Sequence, residues 1–501
     1  MSDLRERSET RATRKEWASL GVLTLAVMLL SIDGTVLALA VPSISADLAP
    51  TSTQVLWIGD IYSFALAGLL ITMGSVADRV GRKRLLLIGA TCFGVASVLA
   101  AFAPTPEVLI AARALLGVAG STLMPSTLSL VRATFRDPRQ RTTAIAVWAA
   151  GASGGAAAGP LVGGALLENF WWGSVFLINV PVIALILVGG SLLLEESKGQ
   201  GRAPIDLLSA ALSVSAIVPV VYAVKHLAGH GLDWSVPAAA ALGVVSGVAF
   251  VRRQRRLRTP LIDLELFRVP AFTGAILANS LGVFAFIGLL FFFSQYLQLV
   301  RGLSPLEAGI HQLPSTVASV AAVAVVGLLA RKLGRGRAIG GALLLAGAGM
   351  AALAVTEGFS SYVGIALSLV ALGLGVGISM TLSTDAVVAA APRERAGAAS
   401  AISETGYELG TALGIAILGS LQTAFYRAQL DLGGVPASDA DAVRDSLARA
   451  TDVLPSTSEV LARAQEAFAA GMQLTSACAA VLLVVGGIVA LRVIPSEKEA
   501  A

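Results

Sequence analysis

A chain of 501 residues with 55% hydrophobic and only 14% charged residues, and a mean hydropathy of +0.79, lacks the charged surface of a soluble protein, which is near one quarter charged. The same figures exclude disorder, a collagen-like fibre and a disulfide-stapled secreted domain. The net charge of +4 matters less than where the positive residues fall. The two cysteines, Cys92 and Cys478, lie inside apolar runs and form neither a framework nor a metal set. His226, His230 and His311 lack metal-ligand spacing, and nothing resembles a nucleophile–base set. No enzyme activity, metal, cofactor or nucleic-acid partner is therefore expected.

Apolar windows of about 20 residues predict an all-α integral membrane protein of fourteen transmembrane helices. The windows fall at 17–41, 53–73, 84–103, 107–130, 142–166, 172–194 and 205–226, then at 236–251, 273–297, 308–330, 338–356, 361–390, 396–425 and 471–493. The first is too long for a signal-peptide core and has no small-residue cleavage site after it, so it counts as an uncleaved span. An even number of spans places both termini on one side. Segments on that side hold 29 of the 36 Lys and Arg, the other side holds 6 with Lys225 counted as a loop residue, and Arg113 lies within a span. By the positive-inside rule both termini are cytoplasmic. Most loops are short. The outer loop 426–470 carries two amphipathic stretches, 440–450 and 458–469, that read as short helices lying on the outer surface.

At an offset of 253 residues the chain aligns with itself. Gly74, Ala77, Gly81 and Arg82 after span 2 match Gly327, Ala330, Gly334 and Arg335 after span 10. Internal repeats of this kind build many secondary transporters, with the substrate site between the halves. The predicted organisation is an N-terminal tail (1–16), a six-helix bundle (17–194), two linking helices (205–251), a second pseudo-symmetric six-helix bundle (273–493) containing the outer loop 426–470, and a C-terminal tail (494–501).

Gly74-x-x-x-Asp78-Arg79-x-Gly81-Arg82-Lys83-Arg84 is the sharpest motif. Its glycines allow a tight turn, Asp78 is suited to accept hydrogen bonds from a helix N-terminus, and the arginines are suited to bridge to carboxylates. Further motifs follow in the right spans: 32–42 with Asp33 in span 1, Trp57-Ile-Gly-Asp60 in span 2, Arg113 with Gly117 and Gly120 in span 4, Gly151, Gly155, Gly159-Pro160 and Gly163-Gly164 in span 5, and Ser403-Glu404-Thr-Gly-Tyr407-Glu408 in span 13. Along nearly its full length the chain resembles the major facilitator superfamily, and within it the fourteen-span drug:proton antiporter family. One departure is in span 1, where Leu39 and its neighbours lack the asparagine usual in that family.

Charges inside spans are functional candidates. Asp33, Asp60 and Arg113 fall in one layer of the outer half, so Arg113 is expected to face a carboxylate, Asp33 first. An unpaired Arg there costs about 2.5–3.5 kcal/mol. Glu404 and Glu408 are spaced i, i+4 on one helix face near mid-membrane with Tyr407 beside them. Mutual repulsion and poor solvation favour carboxyls that hold a proton near neutral pH and bind a cation after losing it. Asp385, near the cytoplasmic end of span 12, reads as interfacial or gating. Gly159-Pro160 is expected to break span 5 locally.

The resemblance implies a proton-coupled antiporter that exports lipophilic, mainly cationic drugs (quaternary ammonium compounds, dyes, fluoroquinolones) by alternating access. It would reside as a multi-pass monomer in a bacterial inner (plasma) membrane and confer antibiotic resistance. No Gly-x-x-x-x-Gly-Lys-[Ser/Thr] phosphate loop is present, so the energy comes from an ion gradient. Proton coupling falls to Asp33, Arg113, Glu408 and Asp60, and substrate binding to Asp33, Asp60, Glu404, Glu408, Tyr407 and Trp57. Gating falls to Gly74, Asp78, Arg79, Gly81, Arg82, Gly159 and Pro160. The alternative cargo is an endogenous metabolite such as a self-made antibiotic, lipid or siderophore.

Overall fold

The computed structural model describes residues 12–496, apart from 136, 199–205, 258–259, 360, 392–395, 434 and 437. The outermost parts of both predicted tails, with Arg5, Arg7 and Arg11, lie outside the described residues. Among the described residues, fourteen helices are long and apolar enough to span a membrane: α1 (Arg14–Leu48), α2 (Ser52–Val80), α3 (Arg82–Ala101), α4 (Pro106–Thr134), α5 (Arg139–Asn169), α6 (Ser174–Leu193), α7 (Leu207–Ala228), α8 (Ser235–Gln254), α9 (Pro270–Val300), α10 (Pro305–Leu333), α11 (Arg335–Thr356), α12 (Tyr362–Ala390), α13 (Ala399–Gln429) and α14 (Glu459–Val493). No strand occurs among the described residues.

Local chemistry fixes several starts. Thr13 with Glu16, Thr51 with Gln54 and Ser304 with Glu307 form capping boxes, each satisfying two backbone donors that the first turn leaves bare. Pro106 and Pro305 occupy first-turn positions where a missing N–H costs nothing. The apolar residues then gather into two main cores, one from α1–α6 and one from α9–α14 with a few residues of α1 and α2, and these are the two six-helix halves.

The repeat is visible in the backbone. Gly81 ends α2 at φ 118° and Gly334 ends α10 at φ 81°, a region that favours glycine. Each donates its N–H back four residues, to Ala77 and Ala330, at 3.0 Å. Each also abuts the segment after the last helix of its half. A Cβ on Gly81 would strike the Glu196 carboxyl after α6, and one on Gly334 the Ser496 carbonyl after α14.

Three expectations need correction. Residues 458–469 form no separate surface helix. They are the first turns of α14, which runs unbroken from Glu459, with Leu461, Ala464 and Phe468 buried. Only 440–453 forms short helices between α13 and α14, Ala440–Asp445 and Leu447–Val453. Pro160 does not interrupt α5, which stays helical to Asn169. Lys225 is no loop residue but sits inside α7, 1% exposed.

Contacts between the halves cluster at the end opposite the termini, called distal here. Asp445 accepts from Ser52 N (2.9 Å) and Ser52 Oγ (3.0 Å) at the start of α2, and Arg427 from α13 joins both at 3.2 Å. Glu168 at the end of α5 accepts from Ser304 Oγ (2.9 Å) and Leu306 N (3.4 Å), capping α10. Gln298 of α9 donates to Leu39 O of α1 at 3.1 Å. At the terminal end the described ion pairs stay within one half (Asp78–Arg82, Lys15–Glu195, Arg335–Asp385) or within the linking pair (Asp206–Arg253).

Candidate functional site

Small residues decide how closely the site helices approach. On α4, Gly117 lies under the backbone of Tyr62, where a Cβ would come 2.3 Å from the Tyr62 carbonyl oxygen. One turn on, Gly120 faces the Tyr62 hydroxyl. α2 and α4 therefore pack backbone to backbone, which brings Arg113, one turn before Gly117, against α1 and α2.

Arg113 donates from Nη1 to Asp33 Oδ2 at 2.9 Å and from Nε to the Ile58 carbonyl at 3.2 Å. Asn179 of α6 donates to the other Asp33 oxygen at 2.9 Å and to Ser97 Oγ at 3.1 Å. All four side chains are buried, so the ion pair lies in a dry site held by α1, α3, α4 and α6. The pairing expected from residue depth is present, while the Asn179 brace was not anticipated.

The second pair joins the first half to a linking helix. Lys225 Nζ lies 2.7 Å from Asp60 Oδ1 and 2.6 Å from Oδ2, and both side chains are fully buried. The same ammonium stands 3.7 Å from the centroid of the Trp57 ring. Asp60 is thus paired by an ammonium that the sequence reading did not anticipate.

Glu404, Tyr407 and Glu408 project from α13 toward this layer. Glu408 is 8% exposed and faces Ser63 of α2. Tyr62 lies between the groups. The Arg113 guanidinium stands 4.8 Å from its ring centroid, and Asp33, Glu408 and Tyr407 are also within its electrostatic reach. Among the described residues, Asp33 and Asp60 have a cation at ion-pair distance, and no such pair involves Glu404 or Glu408. The structure therefore brings together Asp33, Arg113, Trp57, Asp60, Glu404, Tyr407 and Glu408 around the seam between α2 and α13.

The other predicted residues lie elsewhere. Asp78 does not cap a helix. Its Oδ1 accepts from Arg82 Nε (3.0 Å) and Nη2 (2.9 Å), while Glu196 takes the N–H groups of Lys83 (3.1 Å) and Arg84 (3.2 Å) at the start of α3. Arg79 is exposed, and a Cβ on Gly74 would make only an ordinary contact with Pro125. The α5 glycines serve α1. A Cβ on Gly155 or Gly159 would meet the Met28 carbonyl oxygen or Thr35 Oγ1, and the Pro160 carbonyl oxygen lies 2.4 Å from where a Cβ on Gly309 of α10 would be. This helix therefore bridges the halves by close packing, not by a break.

One buried carboxylate escaped the sequence reading. Glu357, just past α11, is 2% exposed. Ser476 of α14 donates to its two oxygens at 3.3 and 3.4 Å, and Tyr296 donates to its backbone carbonyl at 2.5 Å. Tyr296 opens a π-helical segment, Tyr296–Val300, a local widening often found at functional sites.

Fourteen spans in two six-helix halves with a linking pair, and ionisable side chains buried at the seam, define a multi-pass membrane transporter fold. The chain belongs to the major facilitator superfamily, whose family model matches residues 23–415. It is 46% identical to the multidrug efflux pump LfrA of Mycolicibacterium smegmatis, over 95% of this chain and 96% of that one. It is 37% identical to the methyl viologen resistance protein SmvA of Salmonella typhimurium (91% and 93% covered), and 33% identical to the tetracenomycin C resistance and export protein of Streptomyces glaucescens (82% and 76%). Among solved structures, a bacterial homologue of the human lysosomal transporter Spinster, inward-facing and unoccupied, matches with a TM-score of 0.68 at 18% identity, covering 97% of this chain and 98% of that one. A peptide transporter with bound sulfate matches at 0.65 and 18%, covering 96% of each. These two share the fold.

Proposed function

We propose that the protein is a proton-coupled antiporter that exports lipophilic, mainly cationic compounds from the cytoplasm by alternating access. The observation that carries this reading is the contrast among the seam carboxylates. Asp33 and Asp60 are each neutralised by a buried cation, which leaves Glu404 and Glu408, one turn apart on α13, as negative groups open to a proton or an organic cation. Tyr407 between them offers a ring face for cation–π contact. Proton and cargo compete for the same charges, and that competition is the coupling. Asp33 and Arg113 take part in the proton transfer, with Tyr62 as the group between them and Glu408.

The termini are assigned to the cytoplasm from the distribution of Lys and Arg. The distal contacts between halves then seal the outer side, and Gly74, Asp78, Arg79, Gly81 and Arg82 act as the cytoplasmic hinge. Gly159 and Pro160 act in the packing of α5 between α1 and α10. The cargo class is supported by the 46% identity to a protein named as a multidrug efflux pump and the 37% identity to one named for methyl viologen resistance. A second reading, export of a self-made compound, is favoured by the 33% identity to a tetracenomycin C export protein.

Reconstitution in proteoliposomes with an imposed pH gradient tests both readings. Cations such as ethidium should move against the proton flow and stop moving when the gradient is collapsed. Movement that ignores the pH gradient contradicts the antiport reading, and transport of neutral metabolites with no cations favours the second.

A further inference from the structure

Trp57 and Asp60 sit three residues apart on α2, so their side chains share a face. The cation held between them is part of this chain. A carboxylate combined with an aromatic face is the chemistry that recognises alkylammonium ions, and Lys225 satisfies both groups at once, at 2.6 Å from Asp60 Oδ2 and 3.7 Å from the Trp57 centroid.

The lysine comes from neither half. Its helix, α7, lies across the seam, where Ile217 and Val221 pack on Phe64 of α2 and on Ala412 and Ala416 of α13. A helix that only joins two bundles has no need for a buried ammonium. Apolar side chains of similar size fill such a position at less expense of desolvation.

We propose that Trp57 and Asp60 form a binding site for alkylammonium ions, and that Lys225 is its tethered ligand while the distal end is sealed. A positively charged cargo gains Asp60 only when this ammonium withdraws. Because α7 touches both α2 and α13, movement of one half against the other shifts the lysine relative to its carboxylate. Lys225 is thus a positioning residue that gives the linking pair a part in the cycle. Only this last step rests on the export reading; the site itself does not.

The test is chemical rescue of the purified full chain in detergent. Lys225→Ala empties the site, and n-butylammonium supplies the same charge on a four-carbon stem. The amine should raise the Tm of Lys225→Ala saturably, by about 2 °C or more. n-Butanol should not, and the amine should raise the Tm of the wild type and of Lys225→Ala with Asp60→Asn distinctly less, because there only Glu404 and Glu408 are open to it. If the alanine variant does not fold, Lys225→Ser serves in its place. A folded variant whose Tm ignores n-butylammonium, or responds equally to n-butanol, overturns the proposal. Rescue in a chain that fails to export ethidium keeps the site and removes the export reading. Export without rescue removes the site alone.

Discussion

Arg335 Nε lies 3.0 Å from Asp385 Oδ2, so the second half finds on α12 the carboxylate that the first half carries in the last turn of α2, where Asp78 pairs with Arg82 at 2.9 Å. The repeat explains the change of partner. The position matching Asp78 is Arg331, which leaves Arg335 at the start of α11 to find its counter-ion on the next helix. Asp385 therefore completes a motif instead of lining a substrate path.

Both partners of that pair are partly exposed, so Asp385→Asn should lower stability by less than about 1 kcal/mol. Its effect should appear in transport as a several-fold loss of efflux. Adding Arg331→Asp, which rebuilds the first-half arrangement, should restore most of it. Vesicle efflux rates beside thermal unfolding check this, and an unchanged rate in the single variant contradicts it.

The Asp33–Arg113 pair should behave differently because it is buried. Asp33→Asn leaves the guanidinium without its counter-ion and should destabilise the protein by about 3–5 kcal/mol while abolishing efflux. Asp33→Asn with Arg113→Gln should recover stability without recovering transport. A double-mutant cycle on unfolding and on ethidium efflux separates the two effects.

Close packing at the distal seam predicts a steric phenotype. Gly309 leaves no room for a side chain against the Pro160 carbonyl, so Gly309→Val should cost about 1–3 kcal/mol and prevent the sealed state from forming. Cysteine labelling of Ser304 from the distal side should rise in this variant. Labelling as slow as in the wild-type background contradicts the packing argument.

The anchoring of the linking pair carries its own pH dependence. Burial disfavours the Asp206 carboxylate, but hydrogen bonds from Arg253 and Ser209 outweigh this and hold its carboxyl at about 2, below the ordinary 3.8. A group lowered in the folded state stabilises it fully above the unfolded value, and loses that contribution as pH falls through the folded one. Anchoring of α7 and α8 should thus be constant from pH 5 to 8 on this account and weaken below about pH 4. Tm measured against pH should lose that acid limb in Asp206→Asn.

The spans, the repeat and the Asp33–Arg113 pair were legible because each rests on spacing along one chain or on membrane depth. Lys225 was not. It follows an apolar run and precedes His226, which reads as a span end, and its partner lies 165 residues away. Glu357 reads as a loop residue for the same reason, although Ser476 covers it from α14. The start of α14 was misread because Glu459, Arg463 and Glu466 make an amphipathic pattern, and such a pattern suits a surface helix as well as a span that extends beyond the bilayer. The Asp78 assignment failed because Glu196, 113 residues after Lys83, took the N-terminal N–H groups first.

The most direct measurement counts protons released when the detergent-solubilised full chain binds tetraphenylphosphonium in weakly buffered solution. The account predicts at least one proton released per cation bound by the wild type, and neither binding nor release by Glu404→Gln with Glu408→Gln. Cation binding by that double variant with undiminished proton release would contradict it.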